Sequence, residues 1–443
     1  MKVVFLILLL FLKTNILSQE KDTLKTFSSG KLFFSLKKNE KIKIDTIIIS
    51  GNKVTKAEVI LKELSFSTKD TITQDLIEYN KQRIYSTALF NKVEDFLYLE
   101  NNINILELRV HERWFFFPYP VFGIKDRDWK NLYYGLGLAH INFLGLNQKI
   151  FGSFALGYDP WINLHYYNPS FFSKNYIFDI SLGHSKTKNK SIYTKEKDFY
   201  EYWYNAQISL GNRINIYKTL WFSLGYNQIE VTEKNVNKTI SNSGKDYFFS
   251  FNLSYEINTR DLIEYPMKGE YITGLVKKSG FGESEIDYLQ LWIDVRKYIP
   301  IKNNSICFRS FSGFSLGNQI PNYSHYFIGY NERVRGNFYK VLEGENITGF
   351  STELRIPIFG PNYYLLEDFP IPQFSILRYG LNFTLFFDAA EVWNKDKFIW
   401  KDIDYGWGFG LNFLLPYSVV LRTEVAFNNK LKSELIFDVG VSF

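Results

Sequence analysis

From Trp114 to Phe443 the chain repeats short segments in which every second side chain is apolar, separated by clusters of Asn, Gly, Asp, Lys and Pro. Side chains alternate faces along a strand, so each segment has one apolar and one polar face. Strands of this kind leave half their side chains and all their edge groups without partners unless they close on one another. Sixteen segments run from 114–123 to 432–443. An even number of antiparallel strands, apolar outside and polar inside, is what a single-chain membrane barrel requires. The composition fits, since 42 Phe, 31 Tyr and 9 Trp bring aromatic residues to 19%, and such barrels carry aromatic girdles at both interfaces. The net charge of +6 is dispersed along the chain. Nucleic-acid binding wants a clustered basic face, so that class is set aside.

Residues 1–18 hold Lys2, an apolar run from Val3 to Leu12 and a short polar end at Ser18, the three-part pattern of a secretory signal peptide. The run is too short to span a bilayer. A secreted chain whose only cysteine, Cys307, lies in a strand has no disulfide framework and no cysteine metal site. The five histidines show no metal spacing, and no paired catalytic set appears, so neither enzyme chemistry nor a cofactor is expected.

Residues 19–40 read as a polar linker, and residues 41–112 as a small α+β domain. Ile44–Ser50 is a strand, Lys56–Leu64 and Thr71–Leu89 have helical spacing, and two strands follow with Asn101-Asn102 as the hairpin turn. This strand-helix-helix-strand-strand order, with Ile48-Ile49-Ser50-Gly51-Asn52 and the run Tyr85–Val93, resembles one POTRA module. In that fold an edge strand can accept an extended segment by strand addition. The barrel then occupies residues 113–443. Its long polar connections at 185–199, 233–245, 316–347 and 390–403 face outside if the module is periplasmic. The Pro-rich connection 358–380 is the exception, long on the inner side.

The connection 316–347 carries Arg333, Val334, Arg335 and Gly336 between two alternating strands. Counting in twos sends Asp388 into the lumen with Phe386 and Thr384, and sends Glu353 there with Ser351 and Arg355. If the loop folds inward, Arg335 reaches both acids. The core Val334-Arg335-Gly336 resembles the sixth extracellular loop of the BamA/TamA outer-membrane assembly superfamily, although the aromatic, Phe338, comes one position late. Ser351–Pro357, Phe386–Trp393, Asn142–Gln148 and Asn258–Asp261 resemble further motifs of that family. The resemblance implies an arginine clasped by Glu353 and Asp388, with no catalytic residue and no metal.

At the carboxyl end, Leu435, Phe437, Val439, Val441 and Phe443 share one face in the alternation, expected to meet lipid. The ending resembles the terminal signal of membrane barrels. Gly440 either weakens and kinks the last strand or is a small residue facing a crowded lumen. By resemblance, the first and last strands form a seam that opens sideways. The function implied is assembly or insertion of outer-membrane proteins through that seam and a strand-accepting periplasmic module. The alternatives are a polypeptide-secretion pore of the same superfamily and a passive porin or anchor. The expected partners are the outer-membrane lipid bilayer, unfolded outer-membrane or secreted polypeptide clients, and a periplasmic protein at the POTRA module.

Overall fold

The computed structural model describes residues 31–37, 39–125, 129–195, 198–234, 236–280, 285–367, 369–395 and 403–443. The expected signal peptide, and the linker up to residue 30, lie outside the described residues.

The amino-terminal module contains β1 (Leu32–Phe34), β2 (Ile42–Lys43), β3 (Thr46–Ser50), α1 (Ala57–Leu61), β4 (Thr71–Ile72), α2 (Gln74–Tyr85), β5 (Phe90–Glu100) and β6 (Ile103–Glu112). Its main sheet has the order β1-β5-β6-β3, with β3 parallel to β6. Asn101 and Asn102 both have positive φ, as a two-residue primed hairpin turn demands. Thr73 caps α2 by accepting from the Leu76 N–H, and Ile77 and Ile84 turn its buried face onto the sheet. The expectation of an irregular linker fails at Leu32–Phe34. This segment pairs antiparallel with β5, and Phe33 packs its ring 5.1 Å from Tyr98, satisfying an edge that would otherwise stand open.

The barrel strands follow in chain order, each antiparallel to the next. They are β7 (Phe116–Ile124), β8 (Leu132–Phe143), β9 (Gln148–Gly157), β10 (Trp161–Asn168), β11 (Tyr176–Lys188), β12 (Tyr200–Asn215), β13 (Lys218–Val231), β14 (Lys245–Asn258), β15 (Gly269–Ser279), β16 (Tyr288–Ile301) and β17 (Asn304–Gly317). A short hairpin, β18 (Tyr326–Ile328) with β19 (Leu342–Gly344), interrupts them inside the long loop. Then come β20 (Asn346–Leu365), β21 (Ile376–Trp393), β22 (Asp404–Leu415), β23 (Val419–Asn428) and β24 (Ser433–Val439). Together they form one sixteen-stranded antiparallel sheet running from β7 to β24, the number expected from the alternation. Along β22 and β23 the outward residues are exposed apolar groups such as Trp407, Phe409 and Leu421, while Asn412, Arg422 and Glu424 are buried inside.

The connection 358–380 is mostly strand. β20 and β21 run past the sheet as a hairpin that reaches the module, where Asn91 donates to the Gln373 carbonyl and Lys92 lies over the Tyr363 ring. Two other inner turns meet the module as well. Asn142 donates to Thr55 Oγ1 at 2.9 Å and the Gly145 carbonyl accepts from the Lys56 N–H, while Tyr79 donates to the Thr259 carbonyl and Ile263 N–H to Ser86 Oγ. These are the turns whose sequences resemble family motifs. An ion clamp adds charge to this contact. Glu63 of the module holds both Nη atoms of Arg213 on β12 at 2.9 Å, and Arg83 at 3.1 Å. The apolar core of the module continues into Leu262, Tyr265, Leu414 and Val420 of the barrel, so the module sits against the inner mouth.

Candidate functional site

The loop between β17 and β20 folds into the barrel and carries Arg335 to the wall, where only 2% of the residue is exposed. Three carboxylates surround its guanidinium. Asp388 on β21 takes Nε at 2.6 Å and Nη2 at 2.8 Å, Glu353 on β20 takes Nη1 at 2.6 Å, and Glu424 on β23 shares Nη1 at 3.0 Å. The Arg335 backbone N–H also donates to Asp388, at 3.2 Å, and the Phe386 ring lies 3.7 Å from the guanidinium carbon. Arginine suits this position because its planar fork stays charged and offers five donors in fixed directions.

The neighbours make the cluster electrically balanced. The second oxygen of Glu353 accepts from Arg355 at 2.9 and 3.0 Å, and Glu424 accepts from Arg422 at 3.1 and 3.2 Å. Three arginines thus face three acids, all nearly devoid of solvent. Charges buried this deeply persist only when each is paired, and removal of one partner leaves the others uncompensated.

The remaining loop residues fix the approach. Val334 is buried against Ile328, Phe311 and Ile347. Gly336 has φ +100°, and a Cβ there would meet the Phe427 carbonyl oxygen at 2.7 Å, so only glycine lets the loop lie this close to β23. The late aromatic still packs, because Phe338 joins Phe386, Ala426 and Ile436 in one apolar cluster. Arg333 stays exposed, donating to the Tyr330 carbonyl and lying over the Phe338 ring. A second clamp of opposite polarity holds the loop from the other side, with loop residue Glu332 accepting from Arg309 at 2.7 and 2.8 Å and Arg309 also bound to Asp294.

Of the residues singled out in the sequence, the structure brings Arg335, Glu353 and Asp388 together. Sequence reasoning missed Glu424, Arg422 and the Arg309 clamp. Counting in twos along β23 would have put Arg422 and Glu424 inside with Ala426, but nothing local linked them to the loop.

The carboxyl end departs from its expected path. Leu435, Phe437 and Val439 are exposed on the outer face. Phe443 is not on that face. Gly440 takes φ +97° and ends the strand, and the last residues turn inward until Phe443 is 3% exposed beside Tyr298 and Cys307. Val441, expected beside them, is half-buried and packs on the apolar core below the barrel. A Cβ on Gly440 would meet nothing within 4 Å, so the crowded-lumen explanation fails and the kink stands. The physical reason is the left-handed turn at Gly440 together with a distant partner inside, the Arg355 guanidinium that donates to the Phe443 carbonyl.

At the seam, among the described residues, no backbone ladder joins β24 to β7. The loop holds β24 directly, since the Phe338 N–H donates to Glu434 at 3.0 Å and the Phe338 ring packs on Ile436. It also holds β24 at a distance, since Arg422 donates to Asp438.

Comparison with known proteins places this geometry. The family model described as the Omp85 superfamily domain matches residues 142–443, and one described as a surface antigen variable number repeat, a POTRA, matches residues 42–113. Among solved structures, BamA from Haemophilus ducreyi lacking POTRA domains 1–3 is similar at 18% identity and a TM-score of 0.54, covering 90% of this chain and 84% of that one. CdiB from Escherichia coli is similar at 12% identity and a TM-score of 0.57, covering 90% and 75%. At these identities the likeness is one of fold.

Proposed function

The chain belongs to the Omp85 superfamily, whose β-barrels reside in the bacterial outer membrane and serve polypeptide assembly or transport without enzymatic chemistry, and from that premise we propose that it is an insertion or assembly factor for other outer-membrane polypeptides. The observation that carries this reading is the seam without a ladder between β7 and β24. Unpaired strand edges are templates for another strand. Inside a bilayer such edges are costly to leave open, so an open seam is worth keeping only if something uses it.

The inward-folded loop and the docked module support the same reading. Arg335 and its acids hold the loop across the barrel, and the module sits against the inner mouth. A conducting pore has to displace both. Lateral passage at the seam needs the two unpaired edges to part, and the loop is bonded to one of them, β24. In the module the edge of β5 is already taken by β1, an extended segment added to the sheet as a client strand would be. A cleaved leader and a periplasmic module complete the proposal, with the lipid bilayer and unfolded polypeptides as partners.

Depletion of the protein followed by a census of the outer membrane tests it. Loss of many barrels supports assembly, loss of a single exported protein points to the secretion pore, and an unchanged membrane and secretome sinks both.

A further inference from the structure

The two edges of the seam are chemically unlike. Along a strand, each residue turns its N–H and C=O to one edge and its neighbour turns them to the other. The Phe115 carbonyl accepts from Ile141 N–H at 2.9 Å, and Lys125 N–H donates to the Asn131 carbonyl at 3.0 Å. The register from Phe116↔His140 to Ile124↔Leu132 is unbroken between them. Odd-numbered residues of β7 therefore serve β8, and Phe116, Pro118, Pro120 and Phe122 turn to the seam. Proline has no N–H. The middle of this edge presents carbonyls only.

β24 is different. Gly440 N–H donates to the Val420 carbonyl at 2.8 Å, so even-numbered residues serve β23. Leu435, Phe437 and Val439 turn to the seam, and each keeps its N–H. The Val439 N–H is met by its own Asp438 side chain at 2.9 Å, a local substitute for a strand partner.

We infer that Pro118 and Pro120 keep the seam unzipped and leave β24 as its strand-accepting edge, whose partner is an extended polypeptide with apolar side chains at alternate positions. Proline at an edge blocks pairing, and by removing two donors it lowers the cost of an open edge in hydrocarbon. The partner's chemistry follows from the row it would join. The seam-facing residues Leu435, Phe437 and Val439 expose their side chains outward, so an added strand must also turn apolar residues to lipid. This assignment rests on the insertion reading above and narrows it to one edge.

Two measurements on the full-length protein in phosphatidylcholine vesicles separate the parts. In the first, photo-crosslinkers stand singly at Phe116, Phe122, Leu435 and Phe437, and a urea-unfolded eight-stranded membrane barrel is the probe. Adducts several-fold more abundant at Leu435 and Phe437 are expected, and equal or greater yield at Phe116 and Phe122 overturns the assignment. The second uses no client. Pro118→Val with Pro120→Val restores two donors, and exchange of the Leu435 and Phe437 amides should slow by about tenfold or more as the seam zips, the order set by a net backbone hydrogen bond. Unchanged exchange in the folded variant refutes the role of the prolines and leaves the insertion reading intact. Zipping without client adducts at either edge sinks the insertion reading and the partner with it. Adducts spread along β24 from a second copy of this chain in place of the probe also refute the partner.

Discussion

Arg355 donates from Nη2 to the main-chain carbonyl of Phe443 at 3.3 Å, and its guanidinium also lies over the Phe443 ring. The same guanidinium holds Glu353, which holds Arg335, so loop tip and residue 443 are the ends of one chain of buried charges. A second chain runs from Arg335 through Glu424 and Arg422 to Asp438 on β24. Lifting Arg335 from the wall therefore unpairs groups that hold the last strand on both routes. The loop acts on the seam as a splint, which ties the behaviour of the site to a set of testable substitutions.

Arg335→Ala leaves Asp388, Glu353 and Glu424 without their shared cation. The expected loss is roughly 3–5 kcal/mol, the range for breaking a buried pair. Arg333→Ala removes an exposed side chain and should stay within about 0.5 kcal/mol. Heat-dependent gel mobility of the folded barrel reads both, and equal losses would remove the reason for placing Arg335 at the centre.

Glu424→Gln keeps the shape of the side chain and removes one of the three negative charges. Arg335 retains Asp388 and Glu353, so the loss should be smaller, on the order of 1–3 kcal/mol for charged hydrogen bonds. Combined with Arg422→Gln the loss should be well below the sum, because the two share one interaction. An additive pair would argue against the second route to β24.

Gly440→Ala meets no neighbour within 4 Å, so its cost is backbone strain alone. A positive φ costs an L-residue about 1–2 kcal/mol. The strained turn should release Phe443 from Arg355 and speed removal of the last residues by carboxypeptidase. Digestion at the parent rate would show that the inward turn does not depend on glycine.

The contact between module and barrel should depend on pH at both ends of the scale. Burial raises the Glu63 carboxyl, but Arg213 and Arg83 outweigh it and hold the group below its ordinary range. A depressed carboxylate contributes stability that is complete above the free value, about 4.3, and is lost as pH falls through the depressed one. Burial also lowers Lys62, beside the Pro169 carbonyl, to about 8. The separated module binds more protons at Lys62 above that value, so docking should strengthen as pH rises from about 8 towards the free lysine value of 10.5. Cysteine crosslinking between module and barrel across pH tests both limbs, and Glu63→Gln should abolish only the acid one.

Much of this was readable in the chain. Alternation counted the sixteen strands and sent Asp388 and Glu353 inward with Arg355, and the paired asparagines at 101–102 marked their hairpin. Where the reading failed, a local rule met a non-local partner. Phe443 obeys the alternation up to Gly440 and then leaves it, because Arg355 and Tyr298 offer its carbonyl and ring a better site inside. Leu32–Phe34 looks like linker by composition, yet the unpaired edge of β5 makes it a strand.

The sequence by itself determined which face each strand residue takes, since the side-chain period in a strand is fixed at two and needs no knowledge of neighbours. It also determined that residues 118 and 120 carry no N–H, since proline lacks it in any fold. The hydrogen bonds of β7 to β8 decided that these positions turn to the seam. Tertiary structure alone decided that Glu424, 89 residues from Arg335, completes the ring of acids, and that β7 and β24 stand side by side without pairing. Strand tilt and stagger around the whole cylinder set those distances, and no local pattern encodes them.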